Sequence, residues 1–217
     1  MLKYFNQQWD TVPVCMIDTE TTGVQPGRDR TVQVGLVRFE NGAPVGSFSS
    51  LVNPGIPIPA SATAIHGITD AHVAGAPTLA EVFAHPQAVK LLEGAQYAAY
   101  NASFDRYFIP PIGDDWSYPW ADSLSLVRKV DRYERGKGRH RLGAACARHG
   151  IQLGAAHDAG ADARAAGELF YKLGRQTFPQ HYTMGQLLIW QRREEAEEWG
   201  RFMTWLSAQP PRTDAQP

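Results

Sequence analysis

Cysteine is scarce in this chain: two in 217 residues, Cys15 and Cys146, each isolated in apolar surroundings. That excludes a disulfide-stapled scaffold and the paired spacing of a zinc site, and it marks both thiols as buried small hydrophobes. Also missing is any apolar run approaching the roughly 20 residues of a membrane span. Residues 1–9 lack the charged-then-apolar build of a secretory signal. A cytoplasmic location with no membrane partner is therefore expected. Net charge is lacking too: 21 Lys and Arg stand against 22 Asp and Glu, giving −1, with an isoelectric point near 6.7. Such a protein does not coat long nucleic acids by charge alone, though it can grip a short end locally.

What is present is the composition of a soluble globular protein, 43% hydrophobic and 20% charged. The length suits one domain with a substantial core plus an appendage. Residues 12–17 are a run of strand formers, with Pro13 tolerated at its beginning. A turn through 21–30 leads to a second strand over 31–40, and Asn41-Gly42 is a hairpin signal feeding a third over 44–52. Three sequential strands with tight connections predict an antiparallel meander. Residues 53–70 read as an irregular, Pro-containing segment around Ile65-His66-Gly67-Ile68-Thr69. Beyond it come a helix over 78–93, a strand over 95–100, a helix over 104–109, an extended piece near 120–123, and helices thereafter. Hairpin strands followed by strands alternating with helices predict an α/β fold with a mixed sheet flanked by helices.

The chain is organised around Val-Cys-Met-Ile-Asp-Thr-Glu-Thr-Thr-Gly, residues 14–23. An apolar strand here ends with Asp18 and Glu20 at i and i+2, which point to the same face. Like charges side by side are costly unless a cation sits between them. Mg²⁺ and Mn²⁺ prefer such hard oxygen ligands, so the pair is half of a metal site, or else a solvated strand end. Asp105 closes Asn101-Ala102-Ser103-Phe104-Asp105 after the strand over 95–100. With Ser103 as N-cap it falls in the first helical turn, where the dipole favours an acid whether or not it binds anything. The same junction, beyond the carboxyl ends of strands, is where α/β sheets collect ligands. Asp158 is placed to cap a helix running to about residue 173, and Asp162 lies one turn inside it, near Ala159, Ala163 and Ala166. An acid beside so apolar a face is a poor choice for stability alone. His157, just before the cap, either reaches over such a site or is a solvated loop side chain.

These landmarks, in this order and at these separations, resemble the DEDD superfamily of 3′-5′ exonucleases in its catalytic-histidine branch. The chain is similar to the proofreading epsilon subunit of bacterial DNA polymerase III and to ribonuclease T. The likeness runs over residues 13–173, through Asp18-Thr19-Glu20-Thr21-Thr22-Gly23, Asn101-Ala102-Ser103-Phe104-Asp105 and His157-x-Ala159-x-x-Asp162; the His66-Gly67-Ile68 loop adds to it. The resemblance implies a ribonuclease H-like sheet, an antiparallel meander followed by parallel strands. It also implies two divalent cations, Mg²⁺ or Mn²⁺, held roughly 3.5–4 Å apart by Asp18, Glu20, Asp105 and Asp162, with His157 as general base. The expected reaction releases nucleoside 5′-monophosphates from single-stranded or frayed 3′ ends of DNA. RNA trimming by the same chemistry, or a non-catalytic nucleic-acid- or polymerase-binding module on the same fold, stand as alternatives.

The resemblance further places Thr21, Thr22 and Asn101 beside the terminal nucleotide, although the threonines also serve simply to end a strand. His66 fits a base-stacking role or that of a turn histidine before Gly67. Residues 128–141 hold Arg128, Lys129, Arg132, Arg135, Lys137, Arg139 and Arg141 against Asp131 and Glu134, with Gly136 and Gly138 between them. This segment is a candidate backbone clamp, Arg135, Lys137 and Arg139 foremost, or a solvated loop. The division expected is an exonuclease domain over 1–178, a helical extension over 179–208 and a disordered Pro-rich tail over 209–217. In the extension Trp199, Phe202, Met203 and Leu206 share a face. That face folds back on the domain or is offered to a second copy of the chain or a polymerase subunit.

Overall fold

The structure, a computed structural model, describes residues 3–109, 119–134, 136–154 and 157–207. Three strands open the fold: β1 (Val14–Thr21), β2 (Thr31–Glu40) and β3 (Ala43–Leu51). Four short helices follow, α1 (Ala60–His66), α2 (Asp70–Val73), α3 (Leu79–Ala84) and α4 (Pro86–Leu92). Then come β4 (Gln96–Ala99), α5 (Ala102–Phe108), β5 (Ala121–Asp122), α6 (Ser123–Val130), α7 (Leu142–His149), α8 (Ala159–Thr177) and α9 (Met184–Ser207). The five strands lie in the order β3-β2-β1-β4-β5. β1–β2 and β2–β3 are antiparallel, whereas β1–β4 and β4–β5 are parallel. The predicted meander and mixed sheet are both present.

β1 is central and buried on both faces, so its alternation sorts side chains between two cores. Cys15 and Ile17 join Val34 and Leu36 beneath α3 and α4, in contact with Val82, Leu91 and Leu92. Val14 and Met16 join Val37 and Phe39 on the other face, beneath α8 with Phe170 and Tyr171. Both free cysteines are buried, as their apolar settings predicted. Register carries the α8 face onward: Val14 opposes Phe39, Met16 opposes Val37, Asp18 opposes Gly35 and Glu20 opposes Gln33. The face is apolar at one end and acidic at the other.

α8 reaches this face because glycines remove what would hold it off. A Cβ on Gly35 would lie 2.1 Å from the Ala159 carbonyl, one on Gly167 2.2 Å from the Phe39 ring, and one on Gly174 2.4 Å from Trp9. The helix therefore lies on the sheet along its length, with its first turn directly over Gly35.

Several boundaries differ from those expected, each for a local reason. The helix over 78–93 is split into α3 and α4 at His85-Pro86, since proline cannot donate within a helix but suits its first position. Ser103 is not an N-cap; α5 starts at Ala102 after Asn101, and the Ser103 hydroxyl donates to Asn101 Oδ1 at 2.9 Å. The segment over 53–70 is not irregular throughout, because Ala60, Ala62 and Ala64 support α1, which Gly67 closes at φ 73°. The extended piece near 120–123 is a two-residue strand. Residues 184–207 form one helix, α9, whose Met184, Leu187 and Leu188 join the core holding Trp9 and Phe178. Arg135 and the tail over 209–217 lie outside the described residues. Among the described residues no helix is long and apolar enough to cross a membrane.

Gly35→Ala should force α8 from the sheet at its N-terminal turn. A loss of about 1–3 kcal/mol, the usual range for overpacking, is expected in the denaturant midpoint, and wild-type stability would show that the close approach is dispensable.

Candidate active site

Asp18 and Glu20 project from β1 toward the N-terminus of α8, and three features fix that terminus there. Asp158 caps it, its Oδ1 accepting from the Ala161 N–H at 3.0 Å, as predicted. Gln33, opposite Glu20 on β2, donates Nε2 to Asp158 Oδ2 at 3.2 Å and accepts the Ala159 N–H on Oε1 at 3.2 Å. Gly35 admits the backbone between them. Asp162 then enters from the first turn of α8 and is only 9% exposed. Its Oδ1 is buried and has no hydrogen-bond partner.

His157 precedes the cap with φ +64°, a left-handed conformation uncommon for a residue with a side chain. Its imidazole is half-exposed, with Nδ1 4.0 Å from Glu20 Oε1. One ligand atom each from Glu20, His157 and Asp162 lies within 4.8 Å of the others.

Asp105 arrives from the other side. β1 pairs with β4 only from Val14 to Met16. Past that point the Thr19 N–H loses its strand partner on this edge, and Asp105 Oδ1 takes its place, accepting from Thr19 N at 3.0 Å and from Thr19 Oγ1 at 2.9 Å. Asp105 is buried.

The electrostatics of this group are severe. Burial, then the fields of Asp105, Asp162, Glu20 and Asp158, hold Asp18 well above the ordinary carboxylate range. Burial and the neighbouring Asp162, Asp105 and Asp158 push Glu20 up to about 8. Burial raises Asp105 to about 7 against the opposing hydrogen bonds from Thr19. Asp162 is raised mainly by burial, with His157 opposing. Four carboxylates that resist joint ionisation, one with an orphaned oxygen, have the chemistry that a hard divalent cation prefers in its ligands. Asp18, Glu20, Asp105 and Asp162 fit such a group, with His157 at their rim.

The other candidates fall around this centre. Thr21 Oγ1 donates to the Gly23 carbonyl at 2.6 Å, and Thr22 Oγ1 donates to Asp29 Oδ1 at 3.2 Å. Both shape the turn after β1. His66 accepts the Ile68 N–H on Nδ1 at 3.0 Å. Burial lowers its pKa, with the Thr21 backbone opposing and the charge of His157 adding to it. Asn101 sits exposed at the start of α5.

The basic segment divides. Arg128 and Lys129 are engaged by Glu198 and Glu194 of α9 at 2.7 and 2.6 Å. Asp131 holds Arg148 and His149 at 2.6 and 3.0 Å and fixes the base of the loop. Lys137, between Gly136 and Gly138, and Arg139, just after Gly138, are exposed, and both glycines have positive φ.

Thr19, Gln33 and Gly35 were missed. The Gly35 signal was visible, a glycine inside a strand marking a close backbone approach. For Thr19 and Gln33 the partner is remote in sequence, so nothing local marked them.

The family model described as exonuclease, RNase T type, matches residues 15–170. An epsilon-like DNA polymerase III subunit protein of Rhodobacter capsulatus is 42% identical over 173 residues, 76% of this chain and 24% of that protein. A PolC-type DNA polymerase III of Streptococcus thermophilus is 33% identical over 175 residues, 76% of this chain and 11% of its own. The chain thus spans a quarter or less of these relatives. Exonuclease X, solved in complex with 5′ overhanging duplex DNA, superposes with TM-score 0.60 at 27% identity over 81% of this chain and 99% of that one.

Because the folded pKa values of Glu20 and Asp105 exceed the unfolded values, the metal-free protein is most stable below about pH 4 as far as these groups are concerned. That contribution is lost as pH rises through about 7 and about 8. The melting temperature of chelated protein should fall across this window, and Mg²⁺ or Mn²⁺ should restore it most at the upper end. Asp18→Asn should raise the chelated value at high pH; a flat profile in all three samples would contradict the buried-acid account.

Proposed function

This chain belongs to the RNase T-type exonuclease family, and from that premise we propose that it is a metal-dependent 3′-5′ exonuclease acting on single-stranded or frayed 3′ ends of DNA. The observation that carries the reading is the convergence of Asp18, Glu20, Asp105 and Asp162, with the Asp162 Oδ1 left without a protein partner. A group of buried acids repels phosphate, so a module that only binds nucleic acid has no use for it. The relatives named as DNA polymerase III proteins, and exonuclease X with its duplex, favour DNA over RNA as the substrate.

Bound divalent cations would supply the Lewis acidity that makes a water nucleophilic near neutral pH and offset charge on the leaving 3′ oxygen. The chain does the rest. Asp18 and Glu20 are held by β1, Asp162 by the capped turn of α8, and Asp105 by its two hydrogen bonds from Thr19. None of them need reorganise as charge develops. His157, with Nδ1 turned toward Glu20, keeps Nε2 available to take the proton of the attacking water. Its exposed position on a left-handed turn lets it approach the water from outside the acid group. His66 and the Thr21–Thr22 turn border the space where the terminal nucleotide must lie. Product would leave as a nucleoside 5′-monophosphate.

Matched 5′-labelled DNA and RNA strands, incubated with Mg²⁺, Mn²⁺ or chelator, test this directly. A metal-dependent ladder shortening from the 3′ end, faster on DNA, is expected. His157→Ala should retain metal-induced thermal stabilisation but react about 10²- to 10⁴-fold more slowly, the range for a general base. Asp162→Ala should abolish hydrolysis. Folded wild-type protein that cleaves neither strand would overturn the reading.

A further inference from the structure

β5 is the outermost strand on its side of the sheet and only two residues long, Ala121 and Asp122. An edge strand presents backbone groups that a neighbour would otherwise satisfy. Here a side chain satisfies them. Gln191 of α9 accepts the Asp122 N–H on Oε1 at 2.9 Å and donates Nε2 to the Trp120 carbonyl at 3.2 Å. One acceptor and one donor, bonded to backbone positions two apart, is the pattern that a residue of a sixth, parallel strand would provide. Nε2 also donates to Glu195 Oε1 at 3.1 Å, and Gln191 is only 5% exposed. Burying an amide is unfavourable unless its bonds are made, and these three bonds offset that cost.

What the contact fixes is the start of α5, and with it Asp105. The register of β4 with β1 ends at Ala98, and the last residue of β4, Ala99, is paired with Asp122. The next carbonyl, that of Tyr100, accepts the Leu124 N–H at 3.1 Å, a donor it shares with Asp122 Oδ1 at 2.7 Å. The Asn101 carbonyl then accepts the Phe104 N–H at 2.7 Å and the Asp105 N–H at 3.4 Å in the first turn of α5. On its inner side the junction of β5 and α6 is held by Ser123, whose Oγ donates to the Ala166 carbonyl of α8 at 3.0 Å. On its outer side it rests on Gln191. We propose that Gln191 is a positioning residue for the active site: standing in for an absent strand, it fixes the β4–β5 edge from which α5 carries Asp105 into the acid group. The proposal rests on the metal-dependent exonuclease reading above and adds to it a residue beyond position 170, where the family match ends. α9 is then part of the scaffold of the site and not an appendage to it.

Gln191→Met keeps the approximate shape of the side chain and removes its bonds to Trp120 and Asp122. In chelated protein, backbone deuterium uptake over residues 98–105 should rise about tenfold, while residues 14–18 of β1 keep wild-type protection. The Mn²⁺ dissociation constant should rise about three- to tenfold, less than the roughly 10- to 100-fold typical of a residue bonded directly to a metal ligand. kcat should fall by a similar factor with KM for the strand unchanged. Val82→Ala, which removes core packing beneath α3, should lower the melting temperature without altering uptake over 98–105 or Mn²⁺ affinity, and so separates positioning from general loss of stability. In an Asp105→Asn background the Gln191 substitution should change Mn²⁺ affinity less than about twofold. Should Gln191→Met melt early, Gln191→Asn, whose amide is one methylene short, should move uptake in the same direction. Uptake and metal binding are read without turnover, so an inert wild type counts against the exonuclease reading alone. Wild-type protection of residues 98–105 in folded Gln191 variants, uptake raised equally across the sheet, or a loss of Mn²⁺ affinity undiminished by Asp105→Asn would overturn the proposal.

Discussion

Mutual repulsion among Asp18, Glu20, Asp105 and Asp162 is the constraint on which the rest of this structure turns. Each carboxyl is driven up from its ordinary pKa first by burial, and Asp18 and Glu20 are raised further by their acidic neighbours. Left to itself such a group would neutralise or spread apart. Rigid neighbours prevent the second outcome. Asp18 and Glu20 are part of a central strand paired on both sides at its base, and Asp105 is tied to the backbone beside them by Thr19. The site is thus a place where stability is given up locally and recovered in the two cores that flank β1, as functional sites commonly require.

The recovery depends on small residues as much as on large ones. α8 must bring Asp162 within reach of β1, and a helix kept at ordinary distance by side chains could not. Gly35 lets the Ala159 backbone settle against β2, and Gly167 and Gly174 seat the same helix on Phe39 and Trp9. The aromatic cluster of Trp9, Phe170 and Tyr171 fixes the far end, with ring centroids 5.4–5.7 Å apart. Apolar packing at one end of α8 therefore sets the position of an acid at the other. Gln33 and Asp158 complete the arrangement by satisfying the helix N-terminus where it meets the sheet.

This division explains what could be read in the sequence and what could not. Asp18 and Glu20 announced themselves because strand periodicity alone puts i and i+2 on one face, and Asp158 because an acid before an alanine-rich helix is a cap. The meander was legible from Asn41-Gly42 and the flanking strand formers. Ser103 misled because serine is a good cap in general; the chain turns into α5 one residue earlier, after Asn101. The long helix over 78–93 failed at Pro86, a break whose rule was available but was outweighed by the apolar pattern around it. Thr19 holding Asp105 was beyond reach, since their contact spans 86 residues and depends on where β4 stops. The ion pairs of Arg128 and Lys129 with α9 were hidden for the same reason, so two of the seven cations of the basic stretch are already engaged by carboxylates.

A near-neutral total conceals a strong separation of charge, and the separation has a physical consequence for any polyanion that approaches. The acidic centre repels phosphate unless cations occupy it, so approach must be guided by positive surface elsewhere. Lys137 and Arg139 stand exposed on a glycine-flanked loop whose base is fixed by Asp131. Nearby, Arg128 and Lys129 are masked by carboxylates of the same molecule. A fully unmasked basic surface would bind strands indiscriminately and release them slowly, since electrostatic affinity for nucleic acid rises steeply with each added phosphate contact.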